Sequence, residues 1–307
     1  MPRADFDSPW KDALEEYLEE CFLLLFPQAH AAIDWRRPYR FLDTELRQAD
    51  PDGELGPRRV DKLVQVWLID GRDAWILVHV EVQSQEEQAF TRRMFIYFAR
   101  LFDHFNREVV SMAVLADERL VWRPETFSMG RWGFSVRVRF PIVKLAEWRS
   151  RINELEESDN PFATVVLAHL AAQDTRGDVW SRQRAKLGLV RRLYKRGYTR
   201  ERIISLCRFI DWLLALPHEA ELAFRRQVRE IEEEGQMPYI TSIERIGRAE
   251  GREEGREEGK RSAVRAVIAA RFGTVPDALS ARIDAASEGE LDTLLVSAAV
   301  VPALEDL

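Results

Sequence analysis

Cysteine is scarce in this chain: Cys21 and Cys207 are the only two in 307 residues. Both fall inside apolar helical patterns, which suits buried free thiols better than a disulfide. Two thiolates alone cannot complete a structural zinc site. Long hydrophobic runs are also missing, and no stretch approaches the roughly 18 apolar residues of a membrane span. The N-terminal MPRADFDSPW lacks the apolar core of a signal peptide, so a soluble, cytoplasmic protein without a membrane partner is the expectation. An excess of positive charge is lacking too, with a net charge of -7. That excludes a protein that coats nucleic acid through bulk charge. A local basic cleft stays open, because phosphate contacts depend on where Lys and Arg sit.

Core-forming residues are plentiful. Apolar residues make up 46% of the chain, and 16 Phe with 9 Trp can fill a substantial interior. The length suggests one main domain and a smaller one. Helical spacing runs from Ser8, read as an N-cap with Pro9 in the first turn, to Phe26, where Pro27 ends it. Residues 28–38 read as a connection, 39–46 as a short strand or turn, and 49–57 (ADPDGELGP) as a loop. Val60 to Ile69 and Trp75 to Gln83 read as strands of a hairpin turning at Asp70-Gly71. Phe90 to Phe105 is an amphipathic helix with Phe90, Met94, Tyr97 and Leu101 on its apolar stripe and Arg92, Arg93 and Arg100 off it. Val109 to Ala116 reads as a buried strand, and Phe134 to Phe140 (FSVRVRF) as a half-exposed one. Residues 1–150 are thus expected to form a mixed α/β domain.

Beyond 155 the pattern turns helical, with segments at 161–173, 178–197, 199–216 and 218–234 forming a helical region over 155–235. Residues 236–262 hold a charged repeat with Gly247, Gly251, Gly255 and Gly259. Glycine at every fourth place costs roughly 1 kcal/mol each in a helix against alanine, which suits a linker. On a helix the same glycines would line a stripe for close approach of a second helix, and a homodimer through the C-terminal helical region is the matching expectation. Residues 263–307 read as a small helical region.

Chemistry concentrates at WILVHVEVQ, residues 75–83. Side chains alternate along a strand, so His79, Glu81 and Gln83 share one face and Val78, Val80 and Val82 the other. The valine face is expected to pack against the Phe-rich helix that follows. Pairing about 70–71 sets Asp61 beside roughly 80–82, so that Asp61 and Glu81 converge on one cation. Carboxylates, a backbone carbonyl and waters suit magnesium, which can acidify a bound water and neutralise a phosphoryl oxygen.

An acid followed by E-x-K on the next strand is the signature of the PD-(D/E)XK nuclease superfamily. The stretch from Phe41 to Phe105, with FLDTEL, RRVDKLVQVWLIDG, HVEVQSQ and RRMFIYFARLFDHF, resembles its recombination-promoting nuclease (Rpn-like), transposase-like branch, which writes Gln for Lys. The EGREEGREEGK repeat is similar to that group as well. The resemblance implies a restriction-endonuclease-like mixed sheet flanked by helices, followed by an all-helical C-terminal region. It implies a magnesium-dependent DNA endonuclease, with Mn2+ able to substitute, acting on double-stranded DNA. Asp61 and Glu81 would be metal ligands, the carbonyl of Val82 a third, and Glu45 an added acid. Gln83 would stand where the catalytic lysine stands in the superfamily. A carboxamide cannot ionise and can only orient water by hydrogen bonds, so weak activity is expected. Arg92, Arg93 and Lys62 are the candidate DNA contacts.

Blander readings stand beside these. An Asp, a Glu and a Gln on a hairpin can be a solvated sheet face, and His79 a partly buried sheet residue. The densest basic stretch, from Arg182 to Arg202, can steer DNA or form a charged helical surface. A degraded nuclease that only binds nucleic acid, or a helical interaction protein, are the alternative functions.

Overall fold

The computed structural model describes residues 7–42, 60–81, 89–235, 259–273, 276–286 and 288–301. The chain divides into two compact units, Met1–Gly235 and Gln236–Leu307.

The first unit is mixed α/β around a five-stranded sheet. Its strands are β1 (Arg40–Phe41), β2 (Val60–Trp67), β3 (Asp73–Glu81), β4 (Val109–Leu115) and β7 (Ile142–Lys144), in the order β1-β2-β3-β4-β7. β1, β2 and β3 pair antiparallel, whereas β3–β4 and β4–β7 are parallel. The β2–β3 turn spans Leu68 to Arg72, where Leu68 N–H donates to Arg72 O and Gly71 takes a φ of +89°. That left-handed conformation is why glycine sits there. Strands β5 (Thr126–Arg131) and β6 (Phe134–Arg139) pair only with each other, as a separate two-stranded ribbon.

Helices cover both sheet faces. α4 (Ala89–Phe105) lays Tyr97 and Leu101 on Leu63, Trp75 and Val109, and Phe90 and Met94 on Ala113 and Leu115. α1 (Asp7–Glu16) packs on β2 from the other side, and its buried Trp10 makes edge contacts with Phe162, His169 and Phe209. The alternation of β3 therefore settles against expectation. α4 takes the face of Trp75, and the valine parity belongs to the face of α1.

The helix expected from Ser8 to Phe26 is broken. α1 starts at Asp7, Tyr17 interrupts, α2 runs Leu18–Leu25, and α3 runs Pro27–Ala32 where a connection was expected. Pro27 opens α3 instead of merely closing its predecessor, because the first helical turn needs no donor there.

After β7 come a 3-10 turn (Leu145–Arg151), α5 (Ile152–Glu157), α6 (Pro161–Asp174), α7 (Val179–Lys195), α8 (Arg200–Leu213) and α9 (His218–Gly235). α6 is buried almost all round, which is why its sequence is apolar on every side. Side chains of Asn160, Asp178 and Thr199 cap α6, α7 and α8. The second unit holds helices α10 (259–272), α11 (Asp277–Ala285) and α12 (Glu288–Val300) around Val264, Ile268, Ile283, Leu291 and Leu294. α11 ends with Ala286 as its C-cap, before α12 begins. The glycine repeat up to residue 258 lies outside the described residues.

Candidate functional site

β2 begins where β3 ends, so the hairpin brings Asp61 and Glu81 to one end of the sheet. The register pairs Asp61 with His79 and Val60 with Val80. This is slightly short of the expected partner range of 80–82, because the turn occupies Leu68 to Arg72. Position 81 is thus diagonal to position 61, and diagonal neighbours stand about 7–8 Å apart. Positions 61, 79 and 81 have the parity of Leu63 and Trp75, which places them on the sheet face that α4 covers. Glu45, Val82 and Gln83 lie outside the described residues, as do the side chains of Asp61, His79 and Glu81.

α4 starts beyond this strand end and sets its own charges differently from the expected pattern. Arg92 is exposed. Arg93, expected off the apolar stripe, is buried at 4% exposure on the inward face between Phe90 and Tyr97, its guanidinium 5.2 Å from the Phe90 ring. One turn of helix separates Phe90 from Met94, so Arg93 must share their side, because residues three and four apart lie together. Lys62 requires a firmer correction. It is 5% exposed, and its ammonium pairs with Glu15 of α1, on the face opposite Asp61. It is not a surface contact for DNA.

Two strands further along, an ion pair escaped the sequence reading. Lys144 pairs in register with Leu115, which pairs with Glu81. Its Nζ donates to Asp117 at 2.6 Å and to the Trp122 carbonyl at 3.0 Å, with both charged side chains fully buried. Asp117 also accepts the backbone N–H of Arg119 at 2.9 Å. Lys144 is therefore committed to shaping the turn after β4. The available signal was a charge inside each apolar run, VLAD and IVKL.

From the opposite face α6 grips the same strand end. His169 Nε2 lies 3.0 Å from the Ala116 carbonyl. Burial, assisted by Arg149 and Arg176, lowers the His169 pKa to about 4, so the ring is neutral at pH 7.

Part of the basic stretch of α7 and α8 is turned to internal use, while Arg184, Arg191, Lys195, Arg200 and Arg202 are exposed. Lys186 is 1% exposed and pairs with Asp211 and Glu221, each at 3.0 Å. Arg192 donates to the carbonyls of Leu155, Glu156 and Ser158 and to Thr164 Oγ1. Arg196 pairs with Asp159, and Arg202 with Glu20. Among the residues whose side chains are described, no three His, Cys, Asp or Glu converge as a metal-holding group. No family model, curated protein or solved structure matches the chain.

Proposed function

We propose that the chain is a metal-dependent DNA endonuclease with a restriction-endonuclease-like core, related to the transposase-like recombination-promoting nucleases. The observation that supports this most is the β2–β3 register, which puts the positions of Asp61 and Glu81 on one sheet face at one end, beneath a helix carrying a buried arginine. The alternation of antiparallel hairpin, crossing helix and parallel strand supports the fold assignment.

The donor set fits magnesium by its chemistry. It consists of two carboxylates and the Val82 carbonyl, with Glu45 as an added acid, and all are hard oxygen donors. When bound there, the ion supplies charge for a phosphoryl oxygen and a more acidic water. Gln83 accepts or donates hydrogen bonds and so orients the attacking water without taking its proton. Arg93, buried on the inward face of α4, holds a carboxylate oxygen in place, and exposed Arg92 contacts the DNA backbone. A nuclease fold that grips DNA without cutting is the second reading, favoured by the carboxamide at position 83.

Nicking of supercoiled plasmid over a magnesium series tests the first reading, with wild type beside Asp61→Ala and Glu81→Ala. The expected result is weak metal-dependent nicking that both variants lose. Nicking that survives in both variants would sink the assignment. Binding without cleavage under magnesium or manganese selects the second reading.

A further inference from the structure

The β5–β6 ribbon stands apart from the main sheet, and nothing in the endonuclease reading uses it. Six residue pairs join its strands, from Thr126 opposite Arg139 to Arg131 opposite Phe134. Strands of this length make an arm about 20 Å long. The register sorts its two faces by chemistry. One face carries Thr126, Ser128, Gly130, Ser135, Arg137 and Arg139, and the other is apolar except for Arg131 next to the turn.

The apolar face is anchored only at its base. There Phe127 stacks on Phe95 of α4, with ring centroids 4.7 Å apart, and the following Phe140 is buried beside Phe90 and Leu115. Toward the tip the apolar side chains are left in solvent, with Phe134 61% and Trp132 93% exposed. Trp132 and Gly133 form the two-residue turn, at φ of +54° and +87°. Both belong to the left-handed region, where Asn-Gly or Gly-Gly would sit without strain. A tryptophan there bears conformational cost while its ring stays 93% exposed, and strain of that kind points to function.

Charge identifies the occupant. From Thr126 through Phe140 there are three arginines and no Asp or Glu, in a chain of net charge -7. Arg131, Arg137 and Arg139 are all exposed. Arg131 lies over the Trp132 ring at 5.5 Å, and Arg139 meets Glu125 at 3.1 Å at the ribbon's base. Hydroxyls and guanidinium groups side by side on one strand face suit successive phosphates. A two-stranded ribbon fits a duplex groove, and an exposed apolar tip can wedge between base steps. A membrane surface would also take Trp and Arg, but it gives no reason for a face of Ser, Thr and Arg.

We propose that the β5–β6 ribbon is a duplex-DNA-binding arm, holding phosphates through Arg137 and Arg139 on its polar face and through Arg131 on the opposite face at the tip, and presenting Trp132 to the base steps. The inference deepens the endonuclease reading by naming how its substrate is held, and it is tested without cleavage. Full-length protein is titrated into a fluorescein-labelled two-turn duplex in metal-free buffer, and anisotropy is read between about 50 and 200 mM salt. The expected result for R131Q/R137Q/R139Q is an affinity loss of at least about tenfold and a salt slope shallower by up to about 2.7, or 0.9 per phosphate contact. Trp132→Gly, which suits the backbone of the turn, should weaken binding several-fold and leave the slope unchanged. Every substituted side chain is exposed, and an unchanged urea midpoint verifies the fold.

Three results would overturn the proposal. One is wild type that fails to bind at the lowest salt, and another is variants that bind within twofold of wild type. The third is loss of adhesion to anionic phospholipid vesicles while duplex affinity is kept. Ribbon-dependent binding without plasmid nicking retains the arm and removes the nuclease. Nicking with ribbon-independent binding does the reverse.

Discussion

Nine lysines and arginines lie between Arg182 and Arg202, against three arginines between Thr126 and Phe140. The denser stretch is the more obvious place to look for a nucleic-acid surface, yet Lys186 and Arg192 at its centre are tied internally, while Arg191 and Lys195 beside them stay exposed. Lys186 is surrounded by Asp211 and Glu221, and Arg192 gathers carbonyls where α5 ends. On the ribbon the arginines reach solvent, with one carboxylate at the base. Packed helices present unpaired carbonyls at their ends and acids on neighbouring faces, and long cationic side chains are drawn to both. A free-standing ribbon offers little of either, Glu125 beside Arg139 at its base being the exception. Availability of charge follows from what lies within reach, and density along the chain is a poor guide to it.

The sharpest way to break this comparison is to disturb the internal cations and watch DNA affinity. Asp211→Ala with Glu221→Ala leaves the buried Lys186 ammonium without counterions, at an expected cost of about 3–5 kcal/mol by urea denaturation. Lys186→Met removes the buried charge instead and leaves two carboxylates that reach solvent, so its cost should be nearer about 1 kcal/mol. Duplex affinity should be unchanged in both. If Lys186→Met weakened DNA binding more than the ribbon triple variant, the roles assigned to the two regions would be reversed.

Acid separates the regions differently. Burial holds His169 at a pKa of about 4 from an ordinary 6.5. Between those values the unfolded chain binds the extra proton, so stability rises with pH. The contribution is complete above pH 6.5 and is lost as pH falls to about 4, at most about 3 kcal/mol. Arginine does not titrate in this range. Unfolding midpoints should therefore drop from pH 7 to 5 in wild type and much less in His169→Gln, while duplex affinity of the folded protein stays flat. A matching fall in affinity would show that a titrating group, and not the ribbon guanidiniums, holds DNA.

Helices after residue 155 were legible because their apolar period is sustained and glycine or proline stops most of them. Gly197, at a φ of +65°, is one such stop. The hairpin was legible from Asp70-Gly71, but its register was not fully so, because the turn closes at Leu68 and Arg72. Which face of β3 meets α4 could not be read from alternation alone, since both parities offer apolar residues. Trp75 decides it by packing with Tyr97, Leu101 and Phe105. β5 was missed because TFSMGR lacks the alternation and β-branching that mark strands. The Lys144–Asp117 pair joins residues 27 apart, and only the parallel β4–β7 pairing brings them together. Of the candidate site, the hairpin register brings positions 61 and 81 to one end of the sheet, and burial moves Lys62 and Arg93 from surface to interior.

The smallest effect on stability should come with a clear effect on binding. A side chain at Gly130 would put its Cβ 2.8 Å from the backbone oxygen of Phe134, so the ribbon backbone must shift. Gly130→Val therefore distorts the arm between its anchored base and its Trp132 tip. Because β5 and β6 pair only with each other, the strain should remain local. The urea midpoint should move by less than about 1 kcal/mol, while amides of the ribbon exchange faster and duplex affinity falls several-fold. A large global destabilisation would mean that the ribbon is part of the core. Unchanged affinity with a visibly frayed ribbon would mean that the arm's arginines act from a flexible chain and that its paired geometry is unnecessary.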